Sequence, residues 1–459
     1  MDAPRTPEHA RALLVSTYDL GRPPFGLASP AAWLEREGWQ VRCLDLAVEP
    51  FDEAAVADAD FIAIHLPMHT ATRLAGRILP RIREHNAAAP IAAYGLYAPL
   101  NAGWLAGLGV ERVIGGEYEQ ALSDFAREVR ARNGTGPAGD REFIRIDSFE
   151  RLPFLPPARH LLPPLQRYAH LHMPDGSVRL TGATEASRGC RHQCRHCPVT
   201  PVYSGLFRIV PRDVVLADIA AQVAAGARHI TFGDPDFLNG PGHAVPIVRE
   251  LARRWPGLSY DVTIKVEHLV RHEAVLATLA ATGCAFVTSA FESFDDRVLE
   301  RLDKGHTRAD IARAVNACRE AGLPVQPTFV PFTPWTTPDG YRDMLAMLRE
   351  LDLVESVAPV QLALRLLLPA GSRLLDLAEI RKRLGPFNAE GLVYPWVHED
   401  PEVDRLQSQI QQRITDLQAA EYPRPAIFAA VEELAGSGVI PALEFRRAPV
   451  PYLSEPWYC

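Results

Sequence analysis

Short apolar runs alternate with amphipathic stretches along most of this chain. In its first third, residues 11–16, 41–45, 60–65, 91–94 and 110–114 read as strands. Residues 28–37 and 71–84 carry helical spacing, and Gly38 ends the first of these. Strands alternating with helices predict a doubly wound parallel sheet. Ligands of such sheets sit beyond the carboxyl ends of the strands. Those ends fall at 17–26, 65–70, 95–101 and 115–118. From Thr181 a second series begins. Residues 228–232, 259–265, 284–290, 324–330 and 359–366 read as strands, and 212–225, 244–254, 272–282, 308–321 and 340–351 as helices. This pattern predicts a partial α/β barrel with its chemistry at the strands' carboxyl ends. Residues 404–421 and 425–436 are helical by pattern, and 446–459 have no periodicity.

A length of 459 residues exceeds one ordinary core and implies about two or three domains. The segments are 1–131 for the first sheet, 132–180 for a linker and lead-in, 181–385 for the barrel and 386–459 for a carboxyl-terminal accessory region. Residues 133–137 are a loop by composition, and the proline-rich 153–164 excludes regular helix. With 47% hydrophobic and 23% charged residues the composition is globular. No apolar run reaches the about 18 residues of a membrane span, and the first eleven residues lack a signal-peptide core. A cytoplasmic location is therefore the default expectation. A net charge of -8 argues against a general nucleic-acid surface, although Arg191, Arg195 and Arg208 cluster locally.

Seven cysteines are too few and too scattered for a disulfide framework. Three of them, Cys190, Cys194 and Cys197, share the spacing C-x3-C-x2-C on a loop after residues 181–186. Three thiolates can hold three irons of a cubane cluster and leave the fourth iron open. The competing account is a zinc site, for which His192 or His196 would have to complete four ligands.

This spacing, ahead of a βα series, resembles the radical S-adenosylmethionine (SAM) superfamily. The resemblance implies a 4Fe-4S cluster on Cys190, Cys194 and Cys197, with SAM chelated by the open iron. It also implies an external electron donor of flavodoxin or ferredoxin type and a small-molecule substrate. In that superfamily a glycine and an acidic residue at a later strand end bind the SAM amino group. Gly233 and Asp234 match this loosely, with Asp where Glu is usual. Ser289 and Glu292 precede Asp296 to Thr307, a stretch similar to the methylthiotransferase and cobalamin-dependent branches, and are expected to contact SAM. For each of these the ordinary alternative is a strand-to-helix turn, or helix capping by Ser293. Strand alternation puts Asp261, Thr263 and Lys265 on one face, either lining a cavity or forming a solvated edge. Thr333 and Trp335 are candidates for shaping the substrate pocket. The sequence singles out no catalytic residue.

Residues 11–131 resemble the cobalamin-binding-like domain that precedes many radical SAM cores. Histidine-ligated cobalamin requires Asp-x-His-x-x-Gly, whereas Asp19 is followed by Leu20 and Gly21. Cobalamin thus stays an open alternative without motif support, with His65 and His69 flanking a strand end. Cys43 is the domain's one cysteine, and no basic RNA-binding module follows, so the methylthiotransferase reading is disfavoured. The whole length, including Val15-Ser-Thr-Tyr, Pro67-Met-His-Thr and Cys197-Pro-Val, resembles the CUAEP/CCAEP-tail radical SAM (seleno)proteins; the last residues, Ser454-Glu-Pro-Trp-Tyr-Cys459, are expected either to precede a selenocysteine codon read as stop or to be a real terminus with a stray cysteine. That subfamily is similar to the radical SAM enzyme of arsinothricin biosynthesis, which implies transfer of a 3-amino-3-carboxypropyl group to a thiophilic element such as arsenic. Two other readings stand beside it: a cobalamin-dependent methyltransferase, and a non-catalytic iron–sulfur or metalloid sensor.

Overall fold

A computed structural model describes residues 10–132, 142–437 and 450–454. The first sheet holds six parallel strands: β1 (Arg11–Ser16), β2 (Gln40–Asp45), β3 (Phe61–His65), β4 (Ile91–Tyr94), β5 (Arg112–Gly116) and β6 (Ile144–Ser148). Their order is β2-β1-β3-β4-β5-β6. Leu13, Val15, Ile62, Ile64, Ile91 and Val113 face one layer of helices, while Leu14, Phe61, Ala63, Tyr94 and Ile114 face the other. Both faces are buried, as a parallel sheet requires. β6 lies within the stretch that composition marks as linker. Its register, Arg112 beside Ile144 through Gly116 beside Ser148, places it on the sheet edge, where alternating polar residues are tolerated.

The second sheet is a curled half-barrel. It includes β7 (His170–His172), β8 (Val178–Thr184), β11 (His229–Phe232), β12 (Ser259–Thr263), β13 (Cys284–Glu292), β14 (Val325–Phe329) and β15 (Tyr452–Leu453), ordered β14-β13-β12-β11-β8-β7-β15. β8 and β11 to β14 are parallel, and β7 and β15 join antiparallel at the edge. Between β8 and β11 a short hairpin, β9 (Ser187–Gly189) with β10 (Phe207–Ile209), projects from the end of β8. The cysteine loop is the tip of this hairpin.

Residues 359–366, read as the last strand of the second series, instead start with a 3-10 turn, Pro359–Leu362, and touch the barrel through one parallel bridge, Phe332 to Arg365. Pro359 has no N–H to give a ladder, and the Gln361 side chain accepts the Phe329 amide (2.9 Å) in place of a backbone carbonyl. Of the two alternatives for the polar face of β12, a cavity lining or a solvated edge, the buried one holds. Asp261 is 4% exposed, and it accepts from His229 Nε2 (2.8 Å) and Thr231 Oγ1 (2.6 Å). The barrel interior is therefore polar, while Val262, Ile264 and Val266 pack outward in the helical layer. β15 pairs with β7 although its segment has no periodic signal. Among the described residues no helix is long and apolar enough to cross a membrane. Residues 133–137 and the Cys459 tail lie outside the described residues.

Candidate active site

The cysteine loop is held from several sides. Cys190 Sγ lies 3.9 Å from Asn239 Oδ1, which also accepts the Arg191 amide at 3.3 Å. The Arg195 amide donates to Leu302 O (2.9 Å), and Thr200 Oγ1 donates to Cys194 O (3.0 Å). None of the three thiols is in a disulfide. Burial pushes the Cys197 thiol up to about 12 and raises Cys190 as well, so both are protonated thiols at neutral pH and give up that proton on binding a metal. Cys190, His192 and Asp236 present ligand atoms within 4.8 Å of one another. Two donors of the zinc account, Cys190 and His192, thus lie together with Asp236, and His192 Nδ1 is also 3.4 Å from Glu267.

The loop arginines are occupied within the protein rather than forming a basic patch. Arg195 donates to the carbonyls of Glu300 and Arg301, Arg208 to Phe149 O, and Arg191 stacks 4.7 Å over Phe207.

Asp234, at the end of β11, has both carboxylate oxygens committed. One accepts the Ala186 amide (2.8 Å) and the other Ser187 Oγ (2.6 Å). It thus clamps the base of the cysteine hairpin to the next strand end. Burial pushes its carboxyl up to about 7. Gly233 beside it lines the cavity under the hairpin.

Ser289 is fully buried on β13, and its hydroxyl has no partner. Glu292 ends the same strand at a register shift, in the left-handed region (φ 65°), which turns its carboxylate into the barrel. It receives His196 Nε2 at 3.0 Å and Lys304 Nζ at 3.2 Å. Burial pushes its carboxyl up, but Lys304 and His196 outweigh this and hold it well below the carboxylate range. Around this pair, His196 Nδ1 and Asn239 Nδ2 are also buried without a hydrogen-bond partner, and His192 Nε2 is 3.6 Å from Asp236. Buried polar atoms rarely stay unmatched, so this concentration marks a polar ligand space at the strands' carboxyl ends. Sequence reasoning missed Lys304, His306, Asn239 and Asp236, which are brought together only by barrel closure.

The other candidates are used structurally. Thr333 and Thr336 close a turn, and Trp335 Nε1 donates to Glu379 (2.8 Å) in a satellite core. His69 Nε2 lies 2.8 Å from Gly391 O. Asp295, not Ser293, caps the helix Asp296–Leu302.

The two sheets meet at this hairpin. Arg188 on β9 is 6% exposed and reaches Glu119 (2.6 and 2.9 Å), Glu185 (2.7 Å) and Glu117 (3.5 Å). Beside it lies a cavity of about 220 Å³ bounded by the strand ends of both sheets.

The family model of the radical SAM superfamily matches residues 184–350. The matched stretch contains the cysteine hairpin and β11 to β14. The superfamily works with a 4Fe-4S cluster and SAM. The chain is 27% identical over 199 residues to the tRNA-2-methylthio-N(6)-dimethylallyladenosine synthase of Sorangium cellulosum, covering 37% of this chain and 39% of that one. It is 22% identical over 292 residues to the hopanoid C-2 methylase of Rhodopseudomonas palustris, 62% of this chain and 51% of that one. The chain thus spans about two fifths to half the length of these curated relatives. In fold it is similar to the cobalamin-dependent SAM radical enzyme OxsB with aqua-cobalamin bound (TM-score 0.69, 14% identity, 88% of this chain and 67% of that one). It is also similar to the methyltransferase TsrM of Kitasatospora setae (TM-score 0.59, 19% identity, 75% and 72%).

Proposed function

We propose that the chain is a radical SAM enzyme that transfers a group to, or otherwise modifies, a small molecule. The observation that carries this reading is one loop bearing Cys190, Cys194 and Cys197, braced at the mouth of a polar half-barrel. The three thiols fit a cluster with one open iron: they are free, close together and backed by Asn239 and Lys304. When bound, a reduced 4Fe-4S cluster supplies the electron that breaks a carbon–sulfur bond of SAM. The chain's residues position and shield. Asp234 fixes the hairpin's base through Ala186 and Ser187, and Gly233 leaves room beside it. Ser289 offers an unspent hydroxyl to SAM, and the Glu292–Lys304 pair offers fixed charge of both signs. The apolar outer layer keeps bulk water from the interior. The methylthiotransferase and methylase relatives support group transfer as the outcome.

Transfer of a 3-amino-3-carboxypropyl group to a thiophilic element such as arsenic is the finer form of this reading, and it rests on the resemblance of the chain to the CUAEP/CCAEP-tail proteins. Anaerobic reconstitution with iron, sulfide, dithionite and SAM tests both levels. Methylthioadenosine as product supports the finer form, and 5′-deoxyadenosine supports hydrogen abstraction instead. Intact SAM beside an assembled, reduced cluster would refute the enzyme reading in favour of a sensor.

A further inference from the structure

A ligand of the first sheet would enter beyond the carboxyl ends of β1, β3, β4 and β5. Those ends bound the cavity beside Arg188, and side chains of the chain take up much of the space they leave. After β1, Thr17 Oγ1 donates to Ala71 O at 2.8 Å. At the end of β3 the His65 ring fills the space beside Gly26. A Cβ on Gly26 would lie 2.1 Å from that ring, so only glycine fits. Tyr94 and Tyr118 flank the same ring at 5.2 and 6.1 Å between centroids, and Tyr94 Oη donates to Gly26 O (2.7 Å). His65 Nδ1 is unpaired, yet the residue is 5% exposed, and burial lowers its pKa to about 3. After β5, Glu117 and Glu119 are spent on Arg188, with Ser29 Oγ donating to Glu119 (2.6 Å) and Tyr203 Oη to Glu117 (3.1 Å).

The cavity bounded by these strand ends holds about 220 Å³. Drug-sized ligands need about 300–1,000 Å³. A corrin macrocycle with its nucleotide arm is larger than a drug-sized ligand, so cobalamin does not fit the residues present.

We propose that this chain has a cobalamin-type fold without cobalamin: its first sheet instead grips Arg188 at the root of the cysteine hairpin and forms one wall of a small cavity. The buried ionic bracket replaces a cofactor as the contact between the two sheets. The inference rests on the radical SAM reading only for the role of the hairpin.

The test uses the full chain, anaerobically reconstituted with iron and sulfide, incubated with excess hydroxocobalamin and desalted. Cobalt is measured by elemental analysis, and SAM cleavage is assayed with and without the corrinoid. The expected result is cobalt at the level of a non-binding protein control, a visible spectrum of the cluster alone, and one rate of SAM cleavage in both preparations. Stoichiometric cobalt that survives desalting, or cleavage that requires the corrinoid, overturns the inference. Loss of SAM cleavage in both preparations would count against the proposed function, while the cobalt measurement still decides the cofactor question.

Discussion

Replacing Arg188 with Met removes the cation that three carboxylates share. The side chains of Glu117 and Glu119 are completely buried and that of Arg188 is 6% exposed, so solvent screens this bracket little. Deleting one partner of a buried ion pair costs about 3–5 kcal/mol, because the remaining charge is left without compensation. The loss also depends on pH. Burial already raises Glu117 from 4.5 to about 7, with Arg188 acting to lower it. A carboxyl whose folded pKa is raised contributes stability that is fully present below pH 4.5 and is lost as pH rises through about 7. Without Arg188 the carboxyl rises further, at about 1.36 kcal/mol per pKa unit. Near pH 6 it takes up a proton, which softens the loss. Near pH 8 the proton must leave in the unfolded state only, so the variant is weakest there. Urea denaturation of wild type and Arg188→Met at both pH values measures this. The expected result is a midpoint shift of several kcal/mol at the higher pH and a clearly smaller one at the lower. A loss under about 1 kcal/mol at both, or the reverse pH order, would refute the bracket as the joint between the sheets.

Asp234→Ala orphans the Ala186 amide and the Ser187 hydroxyl at about 1–3 kcal/mol each, so both the denaturation midpoint and the iron retained by the hairpin should fall; Asp234→Asn, which keeps an acceptor, should lose less. Ser289→Ala removes a buried hydroxyl that has no protein partner, so stability should stay within about 1 kcal/mol while the SAM dissociation constant, read by calorimetry, rises about 5-fold or more. Unchanged SAM affinity would remove Ser289 from the ligand space. Glu292→Gln leaves Lys304 as a buried, unbalanced ammonium and should cost about 3–5 kcal/mol in a denaturation experiment, whereas a Lys304→Met, Glu292→Gln double variant should recover part of that loss.

The alternating sheet-and-helix order was legible because parallel strands buried on both faces read as unbroken apolar runs, as in residues 91–94. The cysteine loop was legible because its three sulfurs are neighbours in sequence. The strand of residues 359–366 was misread because apolar content is shared by a strand and by a buried 3-10 turn, and Gln361 gave no sign that its side chain would replace a ladder carbonyl. The strands β6 and β15 were missed because edge strands need no apolar continuity. The use of Asp234 as a clamp was not legible either. An acidic residue after a strand-end glycine suits a ligand and a loop brace equally, and only the position of Ala186 and Ser187 decides where its oxygens point. Lys304 and His306, twelve and fourteen positions beyond Glu292, return to its side across the helix Asp296–Leu302, which strand spacing alone does not reveal.

The central claim is a three-sulfur cluster with one iron open to SAM. Electron paramagnetic resonance of the anaerobically reconstituted, dithionite-reduced chain, recorded with and without SAM, tests it most directly. The account predicts a reduced 4Fe-4S signal at about four irons per chain, whose g-values shift when SAM is added and which is lost in the Cys190→Ala, Cys194→Ala, Cys197→Ala triple variant. Stoichiometric zinc with no such signal, or a signal indifferent to SAM, would contradict it.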